Sequence, residues 1–200
     1  MASRTHVAVI GAGVIGLSCA RELARAGFDV TVLEAAPTIG RGSSALANGG
    51  IRAQFTTEIN IAFSRFSIVE LETLERTVGG LGLHQTGYLM LAGAEASERR
   101  LRDAAELQRR LGVETRWLEP DEIASMVPFV RTEGIRGGTF HARDGFLDPA
   151  GLVAALVADA RAEGATILLR AAVGAIERGF VRRPRNFLAH GHGWPRIGLL

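Results

Sequence analysis

The stretch Val7-Ala-Val-Ile-Gly-Ala-Gly-Val-Ile-Gly-Leu-Ser-Cys-Ala20, followed by Asp29-Val-Thr-Val-Leu-Glu34, constrains the fold more than any other part of the chain. It reads as strand, glycine turn, helix, strand and acidic residue, the opening of a dinucleotide-binding βαβ unit. Gly11 permits the tight turn leaving the strand, Gly13 removes a Cβ that would block a pyrophosphate, and Gly16 lets the helix pack close to the sheet. The helix N-terminus at Val14 and Ile15 then offers N–H groups and the positive end of a dipole to phosphate oxygens. Glu34 ends the second strand, where its carboxylate is placed to accept ribose hydroxyl protons. The same carboxylate would repel a 2′-phosphate, which argues against NADP and leaves NAD or FAD.

A glycine triplet alone is a weak signal, and its context supplies the rest. Val7 to Ile10 is a short β-branched run, and Leu17, Ala20, Leu23 and Ala24 form a helical apolar stripe. Gly27 sits where a helix C′ residue belongs, and Val30, Val32 and Leu33 begin the next strand. The competing interpretation is a glycine-punctuated core segment without a ligand. The single cysteine, Cys19, rules out an internal disulfide, fits a reducing compartment, and reads as a small buried hydrophobe in the first helix. No run approaches the roughly 18 apolar residues a membrane-spanning helix needs, so a cytoplasmic location is expected. With 47% hydrophobic residues and a net charge of +2, 200 residues can bury one large and one small core and show no nucleic-acid signature.

After Glu34, the segment Ala35 to Gly50 is rich in small and turn-forming residues, and its glycines allow close backbone approach to a ligand. Thr57 caps an expected helix to about Val78, with Phe63, Phe66, Val69, Leu74 and Val78 as its apolar side and Gly79-Gly80 closing it. A strand is expected over 85–92, an Arg/Glu-laced helix over 95–111, a short strand over 114–118, a helix from Pro120 and a strand or hairpin over 134–141. Asp148-Pro149 starts a helix running to Glu163, and Thr166 to Arg170 returns as a strand. The last stretch, 179–200, has no clean periodicity. Its His190 and His192 make a poor metal site without a nearby carboxylate or thiolate, so no metal is assigned, and its arginines Arg182, Arg183, Arg185 and Arg196 do not make a nucleic-acid tail the preferred reading.

Taken together, these segments resemble the FAD-dependent amine and amino-acid oxidoreductases, the group of D-amino-acid oxidase, glycine oxidase and sarcosine oxidase beta-subunit-like proteins. The matching pieces are Gly11–Gly16 with Glu34, the stretch Gly42-Ser-Ser-Ala-Leu-Ala-Asn-Gly-Gly-Ile-Arg-Ala-Gln-Phe55, Gln85-Thr-Gly-Tyr-Leu, and Asp144-Gly-Phe-Leu-Asp-Pro-Ala-Gly-Leu152 leading to Val173. The resemblance covers roughly residues 6 to 177. It implies an α/β fold: a three-layer Rossmann-like FAD domain built from about 1–84 and 147–178, and a smaller strand-rich α+β substrate domain over 85–146.

The resemblance also implies roles. The FAD set is Gly11, Gly13, Val14, Ile15, Gly16, Glu34, Ala35, Arg41, Ser43, Ser44, Asn48, Gly49, Gly50, Ile51 and Val173. Arg41, Ser43 and Ser44 are expected near pyrophosphate or ribitol, and Asn48 to Ile51 near the flavin. Arg52 suits a substrate carboxylate or charge developing on the flavin, and a salt-bridged loop arginine is the alternative. The implied substrate is a small amine or amino acid, with a partner subunit or electron acceptor completing the system. Relatives of this kind continue with a second half after the equivalent of Val173. The pattern here is read as stopping near Glu177, which suggests a truncated or alternatively ended product, C-terminally incomplete and inactive alone. Two other readings stay open: an NAD-binding Rossmann dehydrogenase, and a non-catalytic flavin-binding subunit.

Overall fold

A computed structural model describes residues 4–178 and 197–199. In chain order the elements begin with β1 (His6–Ile10), α1 (Val14–Arg25), β2 (Asp29–Leu33), β3 (Gly50–Ile51), α2 (Glu58–Thr77) and β4 (Tyr88–Ala92). They continue with α3 (Glu95–Arg110), β5 (Arg116–Leu118), α4 (Pro120–Met126), β6 (Gly137–His141) and β7 (Gly145–Phe146). The last are α5 (Pro149–Ala162), β8 (Thr166–Leu168), β9 (Ile176–Arg178) and β10 (Ile197–Leu199). The chain divides into two compact units, residues 1–47 with 149–200, and residues 48–148.

The first unit is an α/β arrangement on a parallel sheet of order β1-β2-β8. His6 to Ile10 align with Asp29 to Leu33, and Thr31 to Leu33 align with Thr166 to Leu168, so the returning strand joins the sheet beside β2. Val30, Val32 and Leu33 are buried, which is what a β-branched strand covered by a helix requires. Leu17, Ala20 and Ala24 bury one face of α1, and α5 packs against α1. At the rim of this helix pair Arg25 bridges to Asp159 at 2.9 Å and to Glu163 at 3.0 Å. Arg21, which the apolar stripe gave no reason to single out, is buried beside Asp159 at 3.4 Å. Cys19 departs from expectation: it is exposed. Two residues beyond Leu17 is about 200° around a helix, so the face that buries Leu17 turns Cys19 outward. β9 and β10 form a separate parallel pair.

In the second unit the antiparallel sheet has the order β4-β6-β5, and β3 pairs with β7. Ala53, Ile61, Ile68 and Val113 form its buried cluster, with Phe55, Leu107 and Leu111 packed against it. Pro120 opens α4 at its first turn, and α3 ends at Gly112 in a left-handed conformation, as read from sequence. The charges of α3 pair at i,i+4, Arg99 with Glu95 and Arg102 with Glu98, on a largely solvated face.

Two sequence expectations need correction here. The apolar side assigned to α2 is not its core face: Phe63 is 64% and Phe66 65% exposed, and Val69 and Val78 are exposed too. Leu74 of that side is buried as expected, but Ile61 and Ile68 are buried in place of the others. The helix carries apolar residues on two sides, and periodicity alone cannot say which one meets Val113 and α3. Residues 48–84, which the sequence reading groups with the glycine turn, fall in the second unit because α2 shares its core with α3. Phe180, Phe187 and Trp194 of the 179–200 stretch, and the readings of His190, His192 and the tail arginines, lie outside the described residues.

Candidate functional site

In the first unit the glycine turn is shaped by three separate requirements. Gly11 has φ +99°, a backbone conformation that L side chains rarely adopt, and its N–H donates to Leu33 O at 2.8 Å. A Cβ on Gly16 would lie 2.0 Å from the carbonyl oxygen of Gly11, so the helix reaches the turn only because that residue is glycine. A Cβ on Gly13 would meet Ser44 Oγ at 3.2 Å, a closer approach than most Cβ contacts but to the hydroxyl of a loop side chain.

Glu34 and the following loop hold this turn. One carboxylate oxygen of Glu34 accepts the Ala12 N–H and the other accepts the Ala36 N–H, both at 2.8 Å. Gly40 N–H donates to Ala12 O at 3.0 Å, and Val14 N–H donates to Ser44 Oγ at 3.1 Å. The N-cap residue of α1, Gly13, brings no side chain of its own. The fold therefore gathers Gly11, Gly13, Val14, Gly16, Glu34 and Ser44 around one helix N-terminus, a ready anion site. Glu34 carries a second task beyond the one read from sequence. Each of its oxygens already takes one backbone donor and keeps capacity for another, so ribose hydroxyls fit as additional donors. Ile15, Ala35, Arg41 and Ser43 are exposed, and Val173 is half-buried in the irregular chain after β8. Among the described residues none of these five hydrogen-bonds to the turn.

In the second unit, Gly50 and Ile51 form β3 opposite Phe146 and Gly145, while Gly49 O accepts the Leu147 N–H at 3.0 Å. A Cβ on Gly50 would stand 2.7 Å from Tyr88 Oη, so glycine there makes room for the tyrosine hydroxyl. Asn48 is exposed. Arg52 lies half-buried with its guanidinium 4.6 Å from the Phe55 ring centroid. Its Nε is buried and has no hydrogen-bond partner.

Beside Arg52 stands a cluster that sequence reading did not pick out. Asp144 is fully buried; one oxygen accepts the Ala53 N–H at 2.7 Å and the other the Gln54 amide at 3.0 Å. Gln54 also donates to Tyr88 O at 2.8 Å. His141 Nε2 is 3.9 Å from Asp144, beyond hydrogen-bond reach, and its Nδ1 and the Gln54 Oε1 are buried without partners. Burial pushes the Asp144 carboxyl above its ordinary range, against the opposing pull of Gln54, Ala53 N–H, His141 and Arg52. The available signal was Asp144 within the family-like segment, but an acid before glycine reads as a turn residue. Its burial depends on Ala53, 91 positions earlier.

Among the described residues no group of three His, Cys, Asp or Glu could hold a metal ion, and no helix is long and apolar enough to cross a membrane. Comparison with known proteins then supplies context. Residues 6–191 match the family described as FAD dependent oxidoreductase (DAO), a span that runs past the break read near Glu177. Human mitochondrial dimethylglycine dehydrogenase is 31% identical over 179 residues, covering 87% of this chain and 20% of that protein. Glycine oxidase of Geobacillus kaustophilus is 30% identical over 175 residues, covering 84% of this chain and 46% of that protein. The crystal structure of L-proline dehydrogenase from P. horikoshii superposes with a TM-score of 0.78 at 30% identity, over 85% of this chain and 45% of that one. The chain thus spans less than half the length of these relatives.

Proposed function

The chain belongs to the DAO family of FAD-dependent oxidoreductases, and on that premise we propose that it oxidises the carbon–nitrogen bond of a small amino acid or N-methylated amino acid. Its cofactor is FAD, which sets aside the NAD-binding alternative. The observation that carries the reading is the turn itself, locked by Glu34 and Ser44 around the N-terminus of α1. Gly11, Gly13, Val14, Ile15, Gly16 and Ser44 would hold the pyrophosphate, with Arg41 and Ser43 beside it. Glu34 and Ala35 would take the adenosine ribose, and Val173 the adenine. Asn48, Gly49, Gly50 and Ile51 would face the flavin. When bound, FAD would supply the acceptor for a hydride from the carbon next to nitrogen, leaving an imine for water to hydrolyse.

Glycine, dimethylglycine and proline, named in the relatives, each carry an amine and a carboxylate. That pairing supports Arg52 as the residue that takes the substrate carboxylate, through the fork of donors a guanidinium presents. A second reading is a non-catalytic flavin-binding subunit, whose flavin and substrate walls a further polypeptide would complete. The lone Cys19 fits a reducing compartment such as the cytoplasm.

The test is flavin absorbance near about 450 nm in the purified chain, followed by anaerobic addition of glycine, sarcosine, dimethylglycine or proline. Bleaching by one of them supports the reading. Bleaching that appears only after adding the C-terminal half of a longer relative supports the two-polypeptide form. Flavin that is retained but bleached by none of them, with or without that half, overturns the amine assignment. Glu34→Ala is expected to weaken FAD binding by about 1–3 kcal/mol, through lost charge-assisted bonds to ribose and turn. Glu34→Gln should also weaken it, because one of the Ala12 and Ala36 N–H groups then faces an amide donor. Unchanged FAD affinity in both variants would remove Glu34 from the site.

A further inference from the structure

Among the described residues Arg170 is the one residue other than glycine with a positive φ, +56°. In this left-handed conformation the Cβ of an L residue crowds the following carbonyl, so glycine, asparagine or aspartate commonly stands there. The turn itself has a plain task. Arg170 follows β8, and the left-handed step brings its N–H onto Ala36 O at 3.0 Å and the Ala171 N–H onto Glu34 O at 2.8 Å. Both bonds are made by backbone, so any residue that tolerates the conformation would close the turn. The arginine side chain is not needed for it. Arg170 is exposed, and its guanidinium makes no hydrogen bond or ion pair among the described residues.

We propose that Arg170 is a cofactor-binding residue whose guanidinium stacks on the adenine of FAD. This rests on the reading that Glu34 takes the adenosine ribose. The turn roots Arg170 beside that carboxylate: Ala36, whose carbonyl holds the Arg170 N–H, gives its own N–H to Glu34 Oε1 at 2.8 Å. Adenine is attached at the carbon adjoining the one that bears the 2′-hydroxyl, so a ribose held by Glu34 carries its base within the sweep of a long side chain rooted there. Val173, assigned to the adenine above, lies three residues further along the same irregular segment. The guanidinium suits an exposed purine face, because it is flat, delocalised and weakly hydrated and stacks where an ammonium does not. The fixed turn also sets the direction in which the side chain leaves the backbone, so less freedom is lost when the base arrives. Backbone strain is thereby kept at a ligand site, where such strain tends to cluster.

The test is calorimetric titration of the purified full-length chain with ADP, which carries adenosine and two phosphates, and with inorganic pyrophosphate, which has no base. Arg170→Asn removes the guanidinium and tolerates the turn, and Arg170→Gly also relieves the strain. Both variants should bind ADP about fivefold more weakly than the wild type, the worth of one stacked guanidinium, and should bind pyrophosphate equally well. In urea Arg170→Gly should unfold at or above the wild-type midpoint, because the hydrogen bonds of the turn belong to the backbone. A lowered ADP affinity in a chain of undiminished stability is a combination that a merely structural role for Arg170 would not produce. Unchanged ADP affinity in either variant would overturn the proposal. So would an equal loss of pyrophosphate affinity, since the guanidinium would then act as a charge on phosphate. Failure of the underlying reading looks different: Glu34→Ala then leaves ADP affinity unchanged, whatever the Arg170 variants do.

Discussion

Replacing Gly16 by alanine is expected to destabilise the glycine-turn unit by about 3 kcal/mol, the upper range for overpacking, and to take FAD binding with it. The added methyl would stand 2.0 Å from the Gly11 carbonyl oxygen, and that obstacle is backbone rather than a side chain that can swing away. Gly11 cannot easily yield, because its φ of +99° and its hydrogen bond to Leu33 O tie the turn to β2. Gly13 separates folding from binding. It has φ −87°, open to any residue, and its missing Cβ faces the Ser44 hydroxyl at 3.2 Å. Gly13→Val should therefore keep most of the stability while abolishing FAD binding, since the side chain fills the space a pyrophosphate would use. Urea unfolding midpoints and FAD titration of the two variants check both halves. A Gly16→Ala chain with the wild-type midpoint would show that the helix need not approach the turn so closely.

Asp144→Ala is expected to cost about 3 kcal/mol, because it leaves the buried Ala53 N–H without its acceptor and the Gln54 amide with one of its two. The pH dependence carries a sign of its own. Burial raises the folded-state pKa of this carboxyl above its unfolded value, so the folded chain binds the proton more tightly. Stability contributed by Asp144 is thus greatest at acid pH and declines as pH rises through the raised folded pKa. Above that point the full cost of burying the charge is present. Asp144→Asn has no such titration, so the wild-type advantage over Asn should shrink from acid toward neutral pH. Unfolding midpoints measured across that range decide the matter, and an advantage that grew with pH would mean the hydrogen bonds outweigh burial.

The local parts of this protein were legible without a structure. The spacing of Gly11, Gly13 and Gly16, the alternation of β2 and the Pro149 helix start act within a few residues, where a 3.6- or 2-residue period translates directly into a face. The parallel sheet followed, because a strand at Thr166 needs a parallel neighbour and found it in β2. Where two faces of one element were both apolar, the pattern could not choose. Phe63 and Phe66 were as eligible as Ile61 and Ile68, and only packing against Val113 and α3 decided between them. The same holds for Cys19, a residue type that is usually buried but here lies on the wrong side of α1.

The candidate site divides along the same line. The glycine turn and the acid that ends β2 were determined by sequence, since strand, turn and helix are contiguous and their chemistry travels with their spacing. The second task of Glu34, the Ser44 hydroxyl on Val14, and above all the Asp144–Gln54–Arg52 cluster belonged to the tertiary structure alone. Asp144 becomes a buried anchor only when β7 pairs with β3 and brings it to Ala53, a contact between residues 91 positions apart. No local period encodes such a meeting, because it depends on loop closure and sheet register rather than on the preferences of either segment.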